Sequence, residues 1–338
     1  MTSKNKLLFI CKQRHIYSHK VNTPIASGLY NSAQFVVNML NHNGVKAKLA
    51  NVVDANSIDR EVTLYKPTHV IIEALWVTPE KMEVLIKCHP KVKWIIRLHS
   101  EIPFLASEGI AMEWIYKYLD YKNVTLSVNS RRMNDQFTKL LKCPILYLPN
   151  CYPIYSENIC KHNKKHIDIG CFGAIRPLKN QLIQAVAAIN FGNSLKKSIH
   201  FHINATRVEG KGEPILRNIE NLFANNPQHK LIKHEWMSHH DFVNVIKQMD
   251  IGMQVSYSET FNIVTADFVN SNILVVVSPE IFWVNNFFKA DPNSVDSIHI
   301  KLETVYFFRN WKIFKFLNKL KLKLYNKDSK HIWLSKFK

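Results

Sequence analysis

The chain has 338 residues, about twice the usual length of one domain, so two compact domains with a large shared burial capacity are expected. Hydrophobic residues at 46% and charged residues at 21%, with nine glycines and thirteen prolines, exclude a disordered, collagen-like or low-complexity chain. Forty-five lysines and arginines against 26 acids give a formal charge of +19, which points to an anionic partner: nucleic acid, lipid headgroups or a polyanionic glycan.

The N-terminal residues are polar and the apolar run Leu7–Cys11 is too short for a signal-peptide core, while no other run approaches about 18 apolar residues. A soluble, cytoplasmic chain is therefore expected. Leu7–Cys11 reads as a strand, followed by a long loop to Gly28 and a helix over 32–41 that Asn43-Gly44 stops. Strands are expected at 45–53, 69–74, 92–98, 124–128 and 145–148, with Thr78-Pro79-Glu80 capping a helix between the second and third of these. Short apolar runs alternating with amphipathic helices are the mark of a parallel sheet with crossover helices, here a Rossmann-like domain over 1–150.

Residues 151–165 carry Pro, Asn, His and Lys without periodicity and read as a linker. The alternation then restarts over 166–300. Strands are expected at 166–172, 198–205, 230–233, 251–255 and 273–278, and helices at 177–191, 213–224, 238–248 and 262–270, a second Rossmann-like domain. The last segment, 301–338, holds eleven lysines and arginines against two acids, interleaved with aromatic and aliphatic residues. It reads either as a helix pair packing back on the N-terminal domain, which is preferred, or as an amphipathic helix lying on anionic lipid.

The six cysteines are widely spaced with no C-x-x-C, and read as reduced core thiols. His200-x-His202 and His239-His240 lack a second half-site along the sequence, so no metal site is expected.

In open α/β sheets ligands sit beyond the carboxyl ends of the strands, so the loops there hold the candidate residues. In Gly173-Ala174-Ile175-Arg176-Pro177-Leu178-Lys179-Asn180 a glycine lets backbone approach a phosphate, and Arg176 and Lys179 are spaced to reach the same anion. In Ser258-Glu259-Thr260-Phe261-Asn262-Ile263-Val264 a carboxylate precedes a helix whose first amides suit a second phosphate, with Asp267 inside that helix. His99 ends a strand of the first domain, where it suits a sugar or phosphate contact or an internally satisfied histidine. Trp236 offers an aromatic face to a base, or a core contact.

These residues resemble a family. Glu259-x7-Asp267 resembles the E-x7-E motif of retaining nucleotide-sugar glycosyltransferases of the GT-B fold, the "glycosyl transferase group one" set. The surrounding Asp250-Ile251-Gly252-Met253 and the strand Asn272–Ser278 follow the same pattern, Gly173–Asn180 resembles the family's phosphate loop, and Leu148-Pro149-Asn150 its domain-closing tripeptide. The likeness runs over most of the chain and is strongest from 166 to 280. It implies two Rossmann-like domains facing across a cleft and transfer of a sugar, with retention and without a metal or other cofactor, from a nucleotide-sugar, most simply a UDP-sugar. Carried over residue by residue, it places Arg176 and Lys179 on the diphosphate, Gly173 and the Asn262, Ile263 and Val264 amides on phosphate and sugar, Glu259 on sugar hydroxyls and Asp267 on the ribose. His99 and Gly28 would reach the donor from the first domain. The second acid is Asp, Asn272 stands for the usual Gly, Leu274 for the usual Pro, and only Gly28 remains of a glycine pair in the first loop, which leaves the donor open.

Acceptor specificity has no transferable motif, and charge is the guide. The +19 balance, with Lys12, Arg14, His15 and Lys20 in the first loop and Arg131-Arg132 after a strand, favours hydroxymethylated pyrimidines in bacteriophage DNA as acceptor. The alternative is a peripheral enzyme of lipopolysaccharide or other envelope glycan synthesis, docked on anionic membrane by its basic C-terminus and acting on glycolipid. A third reading is a binding protein of the same shape without turnover.

Overall fold

The computed structural model describes residues 5–13, 28–155 and 165–338. They divide into two compact units: the first strand, the described residues up to 153 and residues 325–338 form one, and the described residues from 154 to 324 the other.

The first unit runs β1 (Lys6–Lys12), α1 (Gly28–His42), β2 (Lys46–Val52), α2 (Ser57–Tyr65), β3 (His69–Glu73), α3 (Pro79–Cys88), β4 (Lys93–Leu98), α4 (Ile102–Leu105), α5 (Ala111–Leu119), β5 (Val124–Val128), α6 (Arg131–Leu141) and β6 (Leu146–Tyr147). Its strands form one sheet in the order β2-β1-β3-β4-β5-β6, and every pairing is parallel. The inner strands β1 and β3 are nearly continuous buried runs because helices cover both faces, whereas the edge strand β2 is mixed. On β1, Leu8 and Ile10 join a core that includes Ile58, Met82, Ile115 and Phe137, while Leu7, Phe9 and Cys11 face Val36, Leu40 and the C-terminal Trp333 and Phe337.

The sequence reading assigns no helix at α2, α5 or α6. All three are 9–11 residues long and bury only two or three side chains each, a stripe too narrow to stand out from its polar surroundings. Local chemistry marks α6 all the same, since the Ser130 hydroxyl caps it by accepting from the Met133 amide at 3.2 Å.

The second unit runs β7 (Ile167–Gly170), α7 (Gln181–Ser194), β8 (Ile199–Asn204), α8 (Glu213–Ala224), β9 (Lys230–His234), α9 (His239–Ile246), β10 (Ile251–Gln254), α10 (Ile263–Asn270), β11 (Val275–Val277), α11 (Val295–Phe308) and the first half of α12 (Lys312–Phe337). The five strands are parallel in the order β11-β10-β7-β8-β9, the doubly wound Rossmann order, which reverses direction between β7 and β10. The Phe268 ring of α10 lies flat on β7 and β10, and glycine is required beneath it. A Cβ at Gly252 would stand 2.7 Å from that ring, and one at Gly170 2.9 Å from it. Gly252→Ala is expected to destabilise this unit by about 1–3 kcal/mol through overpacking. A thermal midpoint equal to that of the parent chain would show that the ring does not press on β10.

Three boundaries differ from the sequence expectation. The helix expected over 177–191 opens instead as a 3-10 turn, Pro177–Lys179, and α7 begins only at Gln181, because Asn180 takes a left-handed conformation (φ 58°) between them. The segment 301–338 does not pack as a whole on the N-terminal domain: α11 packs within the second unit, its Tyr306 ring 5.5 Å edge-on from Phe191 of α7, and only 325–338 belongs to the first. There Trp333 is fully buried, 5.7 Å from Phe9, and its Nε1 donates to the Pro149 carbonyl at 2.7 Å. The first unit also extends past residue 150, burying Cys151 and Tyr152. Of the expected linker, 156–164 lies outside the described residues, as do Arg14, His15 and Lys20 of the first loop.

Cys11, Cys88, Cys143, Cys151 and Cys171 are free thiols; Cys160 lies outside the described residues. Cys88 is exposed and so is not a core thiol. Among the described residues no helix is long and apolar enough to cross a membrane.

Candidate active site

The reversal of strand order in the second unit opens the sheet between β7 and β10 at their carboxyl ends, and the loops after these two strands meet there. They are stitched together by backbone and amide bonds. The Tyr257 amide donates to the Leu178 carbonyl at 2.9 Å, and the buried Asn180 side chain donates to the Val255 carbonyl at 3.0 Å. Gln184 of α7 accepts from the Val255 amide and donates to the Lys179 carbonyl, both at 2.9 Å. Asn180 is thus a structural hub. Its left-handed φ is one that Asn adopts more readily than most residues with a Cβ, and Asn262 (φ 58°) and Asn272 (φ 57°) serve the same end in a chain with few glycines. Asn272, at the position where the resemblance expects glycine, takes this left-handed conformation.

Across this seam the Lys179 ammonium bonds Glu259, both side chains being largely buried. Burial works against each charge. Even so, Lys179 chiefly, and Arg176 with it, hold the Glu259 carboxyl below the ordinary carboxylate range; burial lowers Lys179, with Glu259 opposing. The site keeps an ionised carboxylate and a desolvated ammonium at the end of the sheet.

Arg176 is held from the neighbouring strand. Ile175 and Val208 form a parallel bridge, in which the Ile175 amide donates to the Arg207 carbonyl and the Glu209 amide to the Ile175 carbonyl, both at 2.9 Å. Glu209 then lies 3.8 Å from the Arg176 guanidinium and accepts from Arg207 Nε at 2.7 Å. Arg207 in turn lies over the Trp236 ring, 4.4 Å from its centroid, and the Trp236 amide donates to Thr206 Oγ1 at 2.8 Å. Arg207 and Glu209 are invisible to a motif reading, because they follow β8 and reach Arg176 only through strand pairing. Gly173 sits at φ 125°, which favours glycine, and its amide donates to Asn204 Oδ1 at 2.9 Å.

α10 begins at Ile263, one residue after the expected start. Its cap Asn262 accepts from the Thr265 amide at 2.8 Å and donates to Gln254 Oε1 at 2.9 Å, so the amides of Ile263 and Val264 stand at the open end of the helix. Asp267 is on this helix as expected, yet it is buried and accepts from His239 Nε2 of α9 at 2.7 Å. Gly173, Arg176, Lys179, Glu259, Asn262, Ile263 and Val264 thus belong to one constellation at the β7 and β10 ends, with Trp236 beside it at the end of β9.

Gly28 and His99 belong to the first unit. Gly28 is the first residue of α1. His99 follows β4 and closes a buried polar network: Arg97 donates from Nη1 to both oxygens of Glu73 at 3.0 Å, from Nε to the Leu148 carbonyl at 2.9 Å and from Nη2 to Asn150 at 2.7 Å. The His99 Nε2 bonds Glu73, and its Nδ1 accepts from Asn129 at 3.3 Å, which assigns the proton to Nε2. Burial, with Arg97 adding and Glu73 opposing, holds His99 below the ordinary histidine value. Asn150, of the tripeptide expected to close the first domain, is also a member of this network.

No protein-family profile matches the chain and no curated protein matches its sequence. Its fold is similar to that of solved structures at 10% identity. Trehalose-6-phosphate synthase OtsA matches with a TM-score of 0.70, covering 98% of each chain. Sucrose-phosphate synthase from Thermosynechococcus elongatus matches with a TM-score of 0.69 over 98% of each, and Anabaena HepE, solved with UDP and glucose, with 0.63 over 96% of this chain and 98% of its own. The chain accordingly has the α/β, GT-B type of architecture with two Rossmann-like units, as the sequence led one to expect.

Proposed function

We propose that the chain is a glycosyltransferase that moves a sugar from a UDP-sugar to a hydroxyl acceptor. The observation that carries this is the pair of loops at the β7/β10 reversal, joined through Lys179 and Glu259 and supplied with two cations and a helix N-terminus. HepE, of like fold, was solved with UDP and glucose. In the reaction the bond from the sugar's anomeric carbon to the diphosphate oxygen breaks, and its electron pair stays on the diphosphate. Arg176 and Lys179 meet that developing charge and stand in for a metal. Glu259 holds sugar hydroxyls, the Asn262–Val264 segment and Gly173 approach phosphate, and Trp236 meets the base, while Asp267, buried against His239, holds α10 in place and does not itself meet the ribose. Transfer proceeds with retention: the acceptor oxygen bonds the carbon from the face the diphosphate leaves, and its proton passes to the departing phosphate oxygen.

The acceptor is best read as a glycolipid at an anionic membrane surface. α12 has two apolar faces. Leu322, Tyr325 and Trp333 are buried, whereas Ile313, Phe316, Leu320 and Leu324, at spacings of three and four, are exposed on the other side, and Phe307 and Trp311 are exposed just before them. Exposed Lys312, Lys323 and Lys327 flank that stripe. A bilayer interface satisfies both the apolar stripe and the cations, whereas a nucleic acid satisfies only the cations. Hydroxymethylated DNA, the acceptor favoured by net charge, is the competing reading and rests on composition.

UDP release from a panel of UDP-sugars tests both steps, with glycolipid in anionic vesicles, hydroxymethylated DNA and unmodified DNA each offered as acceptor. Release with glycolipid, and weaker vesicle flotation of Phe316→Glu and Leu320→Glu, is expected. Release with hydroxymethylated DNA alone would move the acceptor to DNA. No release and no UDP-sugar binding would overturn the enzymatic reading in favour of another ligand.

A further inference from the structure

We propose that the second unit carries a zinc-type metal site formed by His166, Asp168 and His200. Along the sequence His200-x-His202 has no second half-site, but the sheet supplies one. Asp168 on β7 and His200 on β8 are register partners in a parallel pair, and alternate residues of a strand share a face. His166, two residues before Asp168, therefore lies on the same side as His200 and Asp168. The two imidazole rings stack at 3.6 Å with 18° between their planes, turning a nitrogen of each toward one carboxylate.

The donor atoms have the right separation. His166 Nε2 is 3.4 Å from Asp168 Oδ2, His200 Nδ1 is 3.6 Å from Asp168 Oδ1, and one ligand atom of each residue lies within 4.8 Å of the other two. Bonds of about 2.0–2.1 Å in a tetrahedron set ligand atoms about 3.3 Å apart, so small rotations of the side chains enclose an ion. The carboxylate is already oriented: His202 Nε2 donates to Asp168 Oδ1 at 2.9 Å, and His202 Nδ1 pairs with His234 Nε2 at 2.8 Å. Two imidazoles and one carboxylate select a borderline divalent ion such as Zn²⁺ over Mg²⁺ or Ca²⁺, which prefer all-oxygen shells.

A divalent ion suits the chemistry of the cluster. Asp168 is nearly buried, and the imidazoles of His166, His200 and His202 lie within 3.6 Å of its oxygens. A divalent cation neutralises it and joins β7 to β8. The cluster stands at the amino ends of these strands, the edge opposite the Lys179–Glu259 loops, so its role is to brace the sheet and the proposed transfer reaction still proceeds without a metal.

The test is a cobalt(II) titration of the untagged full-length chain after chelator treatment. One equivalent is expected to bind per chain, with visible absorption of low-symmetry nitrogen and oxygen coordination that zinc(II) abolishes, and zinc(II) is expected to raise the melting temperature. His166→Ala, at the partly exposed rim before β7, should keep the fold and weaken cobalt binding at least about tenfold, and Asp168→Asn should abolish it. Absence of saturable one-equivalent binding, or unchanged affinity in His166→Ala, would overturn the site. Should Asp168→Asn fail to fold, His166→Ala decides.

Discussion

Arg97→Leu is expected to lower the unfolding free energy of the first unit by about 3–5 kcal/mol, read as a fall in the urea midpoint. Arg97 and Glu73 are both fully buried at the carboxyl ends of β4 and β3. Removing the guanidinium strands the Glu73 carboxylate and takes the donors from the Leu148 carbonyl and Asn150 at once. The double variant Arg97→Leu with Glu73→Leu should recover much of the loss, because it removes two buried charges instead of isolating one. A single variant with the parent midpoint would mean that the network is not closed as described.

The same network sets the direction of pH dependence. Burial pushes the Glu73 carboxyl up, but Arg97 and His99 outweigh it and leave it below its ordinary value, while His99 lies below the ordinary histidine value. Both groups bind protons more readily in the unfolded chain. Their stabilisation is therefore complete at neutral and alkaline pH, and is lost on acidification, first through His99 below about pH 6.5 and then through Glu73 below about pH 4.3. Urea midpoints should fall from pH 8 to pH 5 in the parent and less steeply in His99→Gln. An equal slope in both would remove His99 from this account.

Lys179→Ala is expected to lower the turnover of UDP-sugar by about 10²–10³-fold, the cost of losing one preorganised partner of a developing oxyanion. The loss should fall on kcat, because in the proposed transfer negative charge grows on the diphosphate as the bond to the sugar breaks, whereas Glu259→Gln should act chiefly through KM for the donor. Lys179→Ala also leaves Glu259 buried without its cation, so its melting temperature should fall while that of Lys179→Arg does not. Unchanged turnover in Lys179→Ala would sink the proposed role.

Much of the fold is legible in the sequence because parallel strands buried on both faces are nearly pure apolar runs, as at Leu7–Cys11 and Val275–Val277. The loops Gly173–Asn180 and Ser258–Val264 are legible for a related reason: glycine turns, caps and charges at strand ends are local in sequence. Partners at long range leave no such mark. That Lys179 pairs with Glu259, that Glu209 and Arg207 brace Arg176, that His239 reaches Asp267, and that both ring nitrogens of His99 are engaged inside its own unit depend on register and crossover, not on spacing. The helix start at Gln181 depends on the backbone of a single Asn. Division of the C-terminal segment is of the same kind, since its mixed apolar and basic pattern is compatible with several buried faces until Trp333 finds Phe9 and Pro149. The sequence by itself determined the two α/β units and the loops proposed to carry chemistry, because burial periodicity and turn chemistry are local; tertiary structure alone decided which charges pair and which histidines gather around Asp168, because those contacts join strands and loops far apart in the chain.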